Sequence, residues 1–243
     1  MCGRYADFRS AQALADAFGI DPEHIEDDVR LQPARWNVAP TTPVRIVVER
    51  ALKPEEGAGT VRSLRLARWG LVPGWAKEPG IGVTMINARS ETLAEKPAFR
   101  KALAVRRCLV PADGYYEWVA QGPGPKQPYW IHPEDGGGVA FAGLYEFWRD
   151  RSGAEPGPWL VSTTIVTASS EDSPPGLREI HDRRPVALPA EAWDDWLDPG
   201  LTDPVASLAI LTAPPPPLVP TPVGRAVSNV RNDGPELIEP PAG

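Results

Sequence analysis

A cysteine at the second position brings two nucleophiles together at the start of the chain, Met1-Cys2-Gly3-Arg4-Tyr5. Because cysteine is small enough for methionine aminopeptidase to cleave before it, we expect Met1 to be removed and Cys2 to become N-terminal. Cys2 would then carry a thiol and an α-amine on adjacent carbons, with ordinary pKa values of about 8.5 and about 8. Such a pair suits attack on an amide, or condensation with an aldehyde to an imine that the thiol closes into a thiazolidine. The alternative is an ordinary cysteine near the start of the chain.

Three polar residues in largely apolar stretches are further candidates for chemistry: Asn37, Glu117 and His181. A carboxylate among aromatic residues loses solvation, which raises its pKa toward the range useful for proton transfer. A histidine beside acidic and basic neighbours titrates near neutral pH. Simpler interpretations stay open, namely that Glu117 pairs with a cation on an edge strand, His181 bonds a backbone carbonyl and Asn37 stabilises a turn.

Composition limits the class of protein. The 243 residues carry a net charge of −7, which weighs against a broad basic surface but leaves room for a local basic groove. There is no long apolar run and no signal peptide, so we expect a cytoplasmic protein that does not enter a membrane. Two cysteines and three histidines without a CxxC or HExxH pattern predict no metal, no disulfide framework and, with no nucleotide-binding fingerprint, no cofactor.

The order of secondary-structure signals predicts an α+β fold, a bent, antiparallel, barrel-like β-sheet core flanked by a few short helices. Ser10–Phe18 has helical spacing with Ser10 as N-cap and Gly19 as its end. Residues 44–68 read as a β-hairpin, and the stretch from Glu23 to Pro33 as a loop. The remaining predicted elements are strands near 108–111, 114–118, 129–132, 139–145 and 159–167, and helices near 98–104 and 191–197. We expect one domain over residues 1–243, with the Pro-rich segment 214–222 as an extended connection within it.

Several short motifs, in order and spread over nearly the whole chain, resemble the SOS-response-associated peptidase (SRAP) family, whose members are also called abasic-site processing proteins. The matching segments are Cys2-Gly3-Arg4-Tyr5, Trp36-Asn37-Val38-Ala39-Pro40, Trp69 to Trp75, Ile86 to Thr92, Arg107 to Trp118, Ile180-His181-Asp182-Arg183 and Val227 to Asn232. A departure is Arg184, which stands where a methionine is common in the family.

The resemblance implies covalent capture of an abasic site in single-stranded DNA during the DNA damage response. Mature Cys2 would form an imine with the open-chain sugar aldehyde and close it to a thiazolidine crosslink that shields the lesion. Glu117 matches the family glutamate that handles protons and assists reversal, and His181 matches the histidine that assists ring opening. Asn37 matches the asparagine that orients the Cys2 end.

The resemblance also implies a set of DNA contacts. Arg4, Asn87 and Arg89 match positions that hold the phosphates beside the lesion, a task that suits arginine. Trp75 and Trp118 would stack on bases or line the binding site. Pro40 is also expected to contact the DNA. The expected partner is therefore single-stranded DNA containing abasic sites, bound by a monomer that is cytoplasmic and nucleoid-associated when acting on DNA.

Two hypotheses from other classes compete with this one. A Met-Cys-Gly start also opens N-terminal-nucleophile amidases, and autoprotease activity would here amount to removal of Met1. A non-catalytic binder of single-stranded DNA, with Cys2 incidental, is the third hypothesis. Replacement of Cys2 by alanine separates them, since it would abolish crosslinking, abolish hydrolysis or change nothing.

Overall fold

A computed structural model describes residues 2–153 and 155–241 and has an α+β fold, as predicted. The strands are β1 Tyr5–Asp7, β2 Arg35–Val38, β3 Pro43–Ala51, β4 Thr60–Trp69, β5 Asn87–Arg89, β6 Arg107–Ala112, β7 Gly114–Val119, β8 Gln127–Pro133, β9 Val139–Trp148, β10 Leu160–Ser169, β11 Arg183–Pro185, β12 Ala187–Leu188 and β13 Leu218–Pro222. The helices are α1 Ala11–Phe18, α2 Asp27–Arg30, α3 Arg100–Val105, α4 Pro175–Arg178, α5 Trp193–Leu197 and α6 Pro204–Ile210.

The larger sheet is partly ring-like. Its central strands pair in the order β10-β4-β3-β6-β9, and β9 pairs again with β10, which closes the ring. Four of these five pairings are antiparallel, whereas β4 and β10 run parallel. β5 extends this sheet by a second short parallel pairing with β10, which matches Asn87 with Ile165 and Arg89 with Thr167.

The smaller sheet has the order β13-β8-β7-β1-β2 and is antiparallel throughout. Strand β1 lies in its interior, between β7 and β2, so the start of the chain is held on both sides. Tyr5, opposite Tyr115 on β7, also packs edge-on against Trp69 of the larger sheet, with ring centroids 5.2 Å apart. The residues just before β1 therefore lie where the two sheets meet.

Side chains that alternate between the two faces of the larger sheet divide the core into two parts. On β3, Ile46 and Val48 pack with Tyr5, Trp69 and other residues from both sheets, whereas Val47 packs on the opposite side among helix residues. That second side is covered by α1, α3 and α5. The strand ends and loops near Cys2 are therefore supported by a packed core on both sides of the larger sheet.

Most predicted elements are confirmed. Helix α1 has Ser10 as its N-cap, whose hydroxyl accepts from the backbone N–H of Ala13, and it ends at Gly19, which has the left-handed φ of 62°. The predicted hairpin is β3 and β4. The prediction of a loop over Glu23–Pro33 was wrong, since this stretch contains a 3-10 turn and α2.

Two features of the C-terminal third were not predicted. Helix α6 follows Asp203, and the second half of the Pro-rich segment 214–222 is strand β13, paired with β8 along Leu218–Pro222. β13 is an edge strand, which is where a sheet tolerates proline. Within residues 2–153 and 155–241, no helix has the length and apolar character needed to cross a membrane.

Candidate active site

Cys2 is buried and held in place through its backbone. The Asn87 side-chain amide donates to the Cys2 carbonyl oxygen at 2.8 Å, and Asn87 itself is fixed by the pairing of β5 with β10. On the other side, the backbone N–H of Tyr116 donates to the Arg4 carbonyl at 2.9 Å, which continues the β1–β7 register toward the N-terminus. This register brings Glu117, the next residue of β7, beside the Cys2–Gly3 segment.

Glu117 and Cys2 lie close enough for the charge of one to act on the other. Burial raises the pKa of the Cys2 thiol well above its ordinary value, and the charge of Glu117 raises it further. Burial likewise raises the pKa of Glu117, while nearby His181 lowers it. The thiol is therefore protonated at neutral pH, and Glu117 retains a proton to a higher pH than an exposed glutamate would.

His181 lies in the short segment between α4 and β11. The backbone N–H of Arg183 donates to His181 Nδ1 at 2.9 Å, and Asp182 Oδ1 lies 2.7 Å from the same nitrogen. Both contacts are made to Nδ1 and orient the ring. Asp182 is exposed, so water screens its interaction with the ring, and the backbone contact is the firmer of the two restraints on ring orientation.

Arg4 and Asn37 form a unit that binds the C-terminal segment of residues 227–233. Arg4 Nη1 donates to Asn37 Oδ1 at 2.7 Å and to the Val227 carbonyl at 2.9 Å. The Asn37 amide donates to the carbonyls of Val227, Asn229 and Asn232 at 3.2, 3.1 and 2.7 Å. Asn37 thus acts on the N-terminal segment through Arg4, and its bonds reach across the chain rather than stabilising a local turn.

The remaining predicted DNA contacts lie in different environments. Trp118 is half-buried, lies under the Arg4 guanidinium at 5.6 Å and donates from Nε1 to Ser228 Oγ at 2.9 Å. Arg89 is exposed on β5, two residues after Asn87. Pro40 is half-buried beside Thr41, whose φ of 68° is unusual for a β-branched residue.

Trp75 is not among the residues that contact the Cys2 segment. It is 61% exposed in the loop after β4, where it lines a cleft together with Phe147 and Trp159. The structure therefore groups Cys2, Glu117, His181, Asn87, Arg4 and Asn37 into one connected site and places Trp75 in a second region.

No local sequence pattern indicates the ion pair that fixes the His181 loop. Arg183 donates to both carboxylate oxygens of Glu91 at 2.6 and 2.9 Å and to the Thr167 carbonyl at 2.8 Å. The pair ties β11 to the turn after β5, and hence His181 to Asn87. Burial raises the pKa of Tyr115, and Arg184, which stands where a methionine is common in the family, lies close enough to lower it slightly.

No group of three or more histidine, cysteine or acidic residues in the described part of the chain is arranged to hold a metal ion. Both cysteines are free thiols. The site brings together the Cys2 segment, the glutamate Glu117 with its raised pKa, the histidine His181 and the arginine Arg4. It is suited to proton transfer around a reaction of the N-terminal residue.

Comparison with known proteins matches residues 1–230 to the model of the family described as SOS response associated peptidase (SRAP). The chain is 37% identical over 240 residues to the abasic site processing protein YoqW of Bacillus subtilis, covering 98% of this chain and 99% of that protein. It is 35% identical to the abasic site processing protein YedK of Escherichia coli, covering 99% and 100%. It is also 32% identical to the abasic site processing protein HMCES of Gallus gallus, covering 99% of this chain and 78% of that one.

Solved structures agree on the fold. A crystal structure of a protein from Bacteroides thetaiotaomicron superposes with a TM-score of 0.79 over 99% of this chain and 100% of that one, at 22% identity. A phage-related protein from Bordetella bronchiseptica superposes with a TM-score of 0.65 at 32% identity, over 91% and 94%. The family match over nearly the full length and the identities to curated relatives lead to one conclusion: this chain belongs to the SOS response associated peptidase family.

Proposed function

We propose that this protein processes abasic sites in single-stranded DNA by forming a covalent thiazolidine crosslink through Cys2 once Met1 has been removed. The observation that carries the proposal is the position of Cys2, whose carbonyl is held by Asn87 and whose thiol lies within the field of Glu117. The names of the relatives, abasic site processing proteins, support the choice of substrate.

The chemistry uses both nucleophiles of the mature N-terminus. The α-amine of Cys2 adds to the aldehyde of the open-chain deoxyribose, and loss of one water gives the imine. The thiol then adds across the C=N bond of the protonated imine. Sulfur bonds to carbon, nitrogen keeps its proton, and the thiol gives up its own proton to a base, which closes the five-membered ring. An imine alone promotes elimination of the neighbouring 3′ phosphate, and ring closure removes that electrophile.

Glu117 is proposed to move the protons of this sequence. Its carboxyl group, with a pKa raised by burial, donates a proton as water leaves and accepts one from the thiol as sulfur attacks. The thiol needs such a base because burial keeps it protonated. His181, whose charge acts on Glu117, is proposed to protonate the ring oxygen of the sugar as it opens.

Arg4, Asn87, Arg89, Pro40, Trp75 and Trp118 are proposed to bind the DNA strand. Arg4 combines a guanidinium with the indole of Trp118 beneath it, an arrangement that presents a cation and a stacking surface together. Its Nε is buried without an acceptor among the described residues, so part of its donor capacity is unused by the protein. Exposed Arg89 would meet a phosphate on the same side as Asn87.

The test is a denaturing gel of the purified protein mixed with a single-stranded oligonucleotide carrying one abasic site, followed by intact mass spectrometry. We expect a shifted band whose mass is that of the Met1-free chain plus the oligonucleotide, less one water. Protein that lacks Met1 but forms no adduct would contradict the proposal. Hydrolysis of glutamine or peptides by the same protein, lost on replacing Cys2, would then support the N-terminal-nucleophile amidase instead.

A further inference from the structure

A basic concave surface lies apart from the Cys2 site. A cleft of about 630 Å³ opens between the loop after β4, the start of α3 and the ends of β9 and β10. Its lining holds four cationic side chains, Lys101, Arg106, Arg149 and Arg151, and one carboxylate, Glu146. In a chain of net charge −7, such a concentration of positive charge favours an anionic ligand.

Most of this positive charge is not neutralised within the protein. Glu146 pairs with Arg106 at 3.0 Å. Among the ion pairs of the described residues, Lys101, Arg149 and Arg151 have no carboxylate partner. The cleft therefore keeps an excess of cations that a ligand with several negative charges would neutralise.

Aromatic rings are interleaved with these cations. Trp75 and Trp159 are 61% and 57% exposed, which is unusual for side chains of this size. The guanidinium of Arg149 lies 4.6 Å from the Trp159 ring centre, and Phe147 meets Trp159 edge-on at 6.3 Å. Exposed rings between cations are the arrangement by which proteins hold single strands, with bases stacked on rings and phosphates on cations.

The cleft is preorganised and connected to the Cys2 site. Trp148 donates from Nε1 to the Ala76 carbonyl at 2.7 Å, which fastens the Trp75 loop to the end of β9. The same loop leads back into β5, where Asn87 holds Cys2. Along β10, Trp159 precedes Leu160, and Asn87 pairs with Ile165, so about 20 Å of strand separates the two regions.

We propose that this cleft is a second DNA subsite, which holds the undamaged single strand several nucleotides away from the lesion. The inference rests on the proposed binding of single-stranded DNA and extends it to a region that the Cys2 chemistry does not use. A stacked strand advances about 3.4 Å per nucleotide, so roughly six nucleotides span the separation. The subsite would add affinity for long strands without touching the reacting sugar.

The experiment compares the wild-type chain with Trp159→Ala and Arg149→Gln on an undamaged single strand of about 16 nucleotides. Loss of one stacking ring should weaken binding roughly 5- to 100-fold. Loss of one phosphate contact should lower the slope of log affinity against log salt by about 0.7. Arg50→Gln is the matched control, since it removes the same charge from an exposed arginine paired with Glu56 outside the cleft, and should change neither quantity by as much.

A second measurement separates the subsite from the crosslinking chemistry. On an abasic strand of about 4 nucleotides, too short to reach the cleft, Trp159→Ala and Arg149→Gln should crosslink at the wild-type rate. If wild-type protein forms no crosslink at all, the proposed function fails, while the binding of undamaged DNA still tests the cleft. Thermal unfolding of each variant checks the fold, and Arg151→Gln, at an exposed position, replaces any variant that unfolds.

Two outcomes would overturn the proposal. The first is an affinity and a salt slope for the long strand that stay at wild-type values in folded variants. The second is an unchanged DNA affinity together with binding of an oligo-glutamate peptide that is weaker in the variants than in the wild type. That result would assign the cleft to an acidic protein segment.

Discussion

The two cysteines of this chain have the same burial and different surroundings. Both are fully buried, and burial raises the pKa of both thiols, that of Cys108 to about 12. Cys108 lies in β6 with its sulfur 3.4 Å from the hydroxyl of Thr163, a neutral partner. Cys2 precedes β1 and lies near Glu117, which is itself influenced by His181.

Neither burial nor a raised thiol pKa therefore separates Cys2, the proposed nucleophile, from Cys108. The difference lies in what can move a proton nearby and in the α-amine that only Cys2 can acquire. Cys108 has a packing role, tight enough that a Cβ added to Gly143 would lie 2.9 Å from its sulfur. Replacing either thiol, or the groups around Cys2, separates these two environments by experiment.

The largest expected effect comes from replacing the two thiols separately. Cys2→Ala should abolish the denaturation-resistant adduct with abasic DNA, because the imine can no longer close to a thiazolidine. Cys108→Ala should crosslink at the wild-type rate. A denaturing gel read over time measures both. A persistent adduct in Cys2→Ala, or loss of the adduct in Cys108→Ala, would show that the nucleophile is wrongly assigned.

Removing Glu117, the ionisable neighbour of Cys2, should leave the Cys2 thiol without a group that can take its proton, as is the case for the Cys108 thiol. Glu117→Gln keeps the shape of the side chain but cannot exchange a proton, so we expect crosslinking to slow by roughly 10²- to 10⁴-fold with little change in DNA affinity. Single-turnover kinetics and equilibrium binding measure the two quantities separately.

The pH profile gives the sign of this effect. Since burial raises the pKa of Glu117, its protonated form persists above the pH at which an ordinary glutamate ionises. A step that needs the protonated acid should be fastest below this raised pKa and fall as pH increases through it. In Glu117→Gln that limb of the profile should disappear. If wild-type and variant profiles are parallel, Glu117 does not supply the proton.

A smaller effect is expected from removing the side-chain bond that holds the backbone of Cys2. Cys108 needs no such bond, because the pairing of β6 with β9 holds its backbone. Asn87→Ala removes the 2.8 Å bond to the Cys2 carbonyl, so the nucleophile is less well positioned. We expect crosslinking to slow by up to about 10²-fold, since small displacements of reacting groups have effects of this size. The readout is the single-turnover rate at saturating DNA, and Cys108→Ala is the control. An unchanged rate would show that the Asn87 bond does not position Cys2.

The elements predicted correctly from sequence are those specified by local chemistry. Helix α1 has a serine cap, a glycine end and apolar spacing within a few residues, and the β3–β4 hairpin has alternating strands around a polar turn. Helix α6 was missed because its residues, Pro204–Ile210, are mostly apolar and show no polar face. The two parallel pairings of β10 join segments far apart in sequence, which no local pattern encodes.

The same distinction applies to the site. Cys2, Glu117 and His181 could be chosen from residue type and from the resemblance of their motifs. The partners of Asn37 could not, because its amide bonds residues more than 190 positions away. The basic cleft was also missed, since Trp75, Lys101, Arg149 and Trp159 come from separate segments and are combined only by the fold.

The smallest expected effect concerns stability, and it tests the structural side of the contrast. Cys108→Ala removes a sulfur atom from a closely packed position, while Thr163 keeps its bond to the Leu144 carbonyl at 3.0 Å, so no buried polar group loses its last partner. We expect a loss of about 1 kcal/mol in the free energy of unfolding, the typical cost of a single substitution. Urea denaturation measures it, with crosslinking followed on the same sample. If Cys108→Ala instead slowed crosslinking while leaving stability unchanged, Cys108 would act in the reaction, and the division between a reactive and a structural thiol would fail.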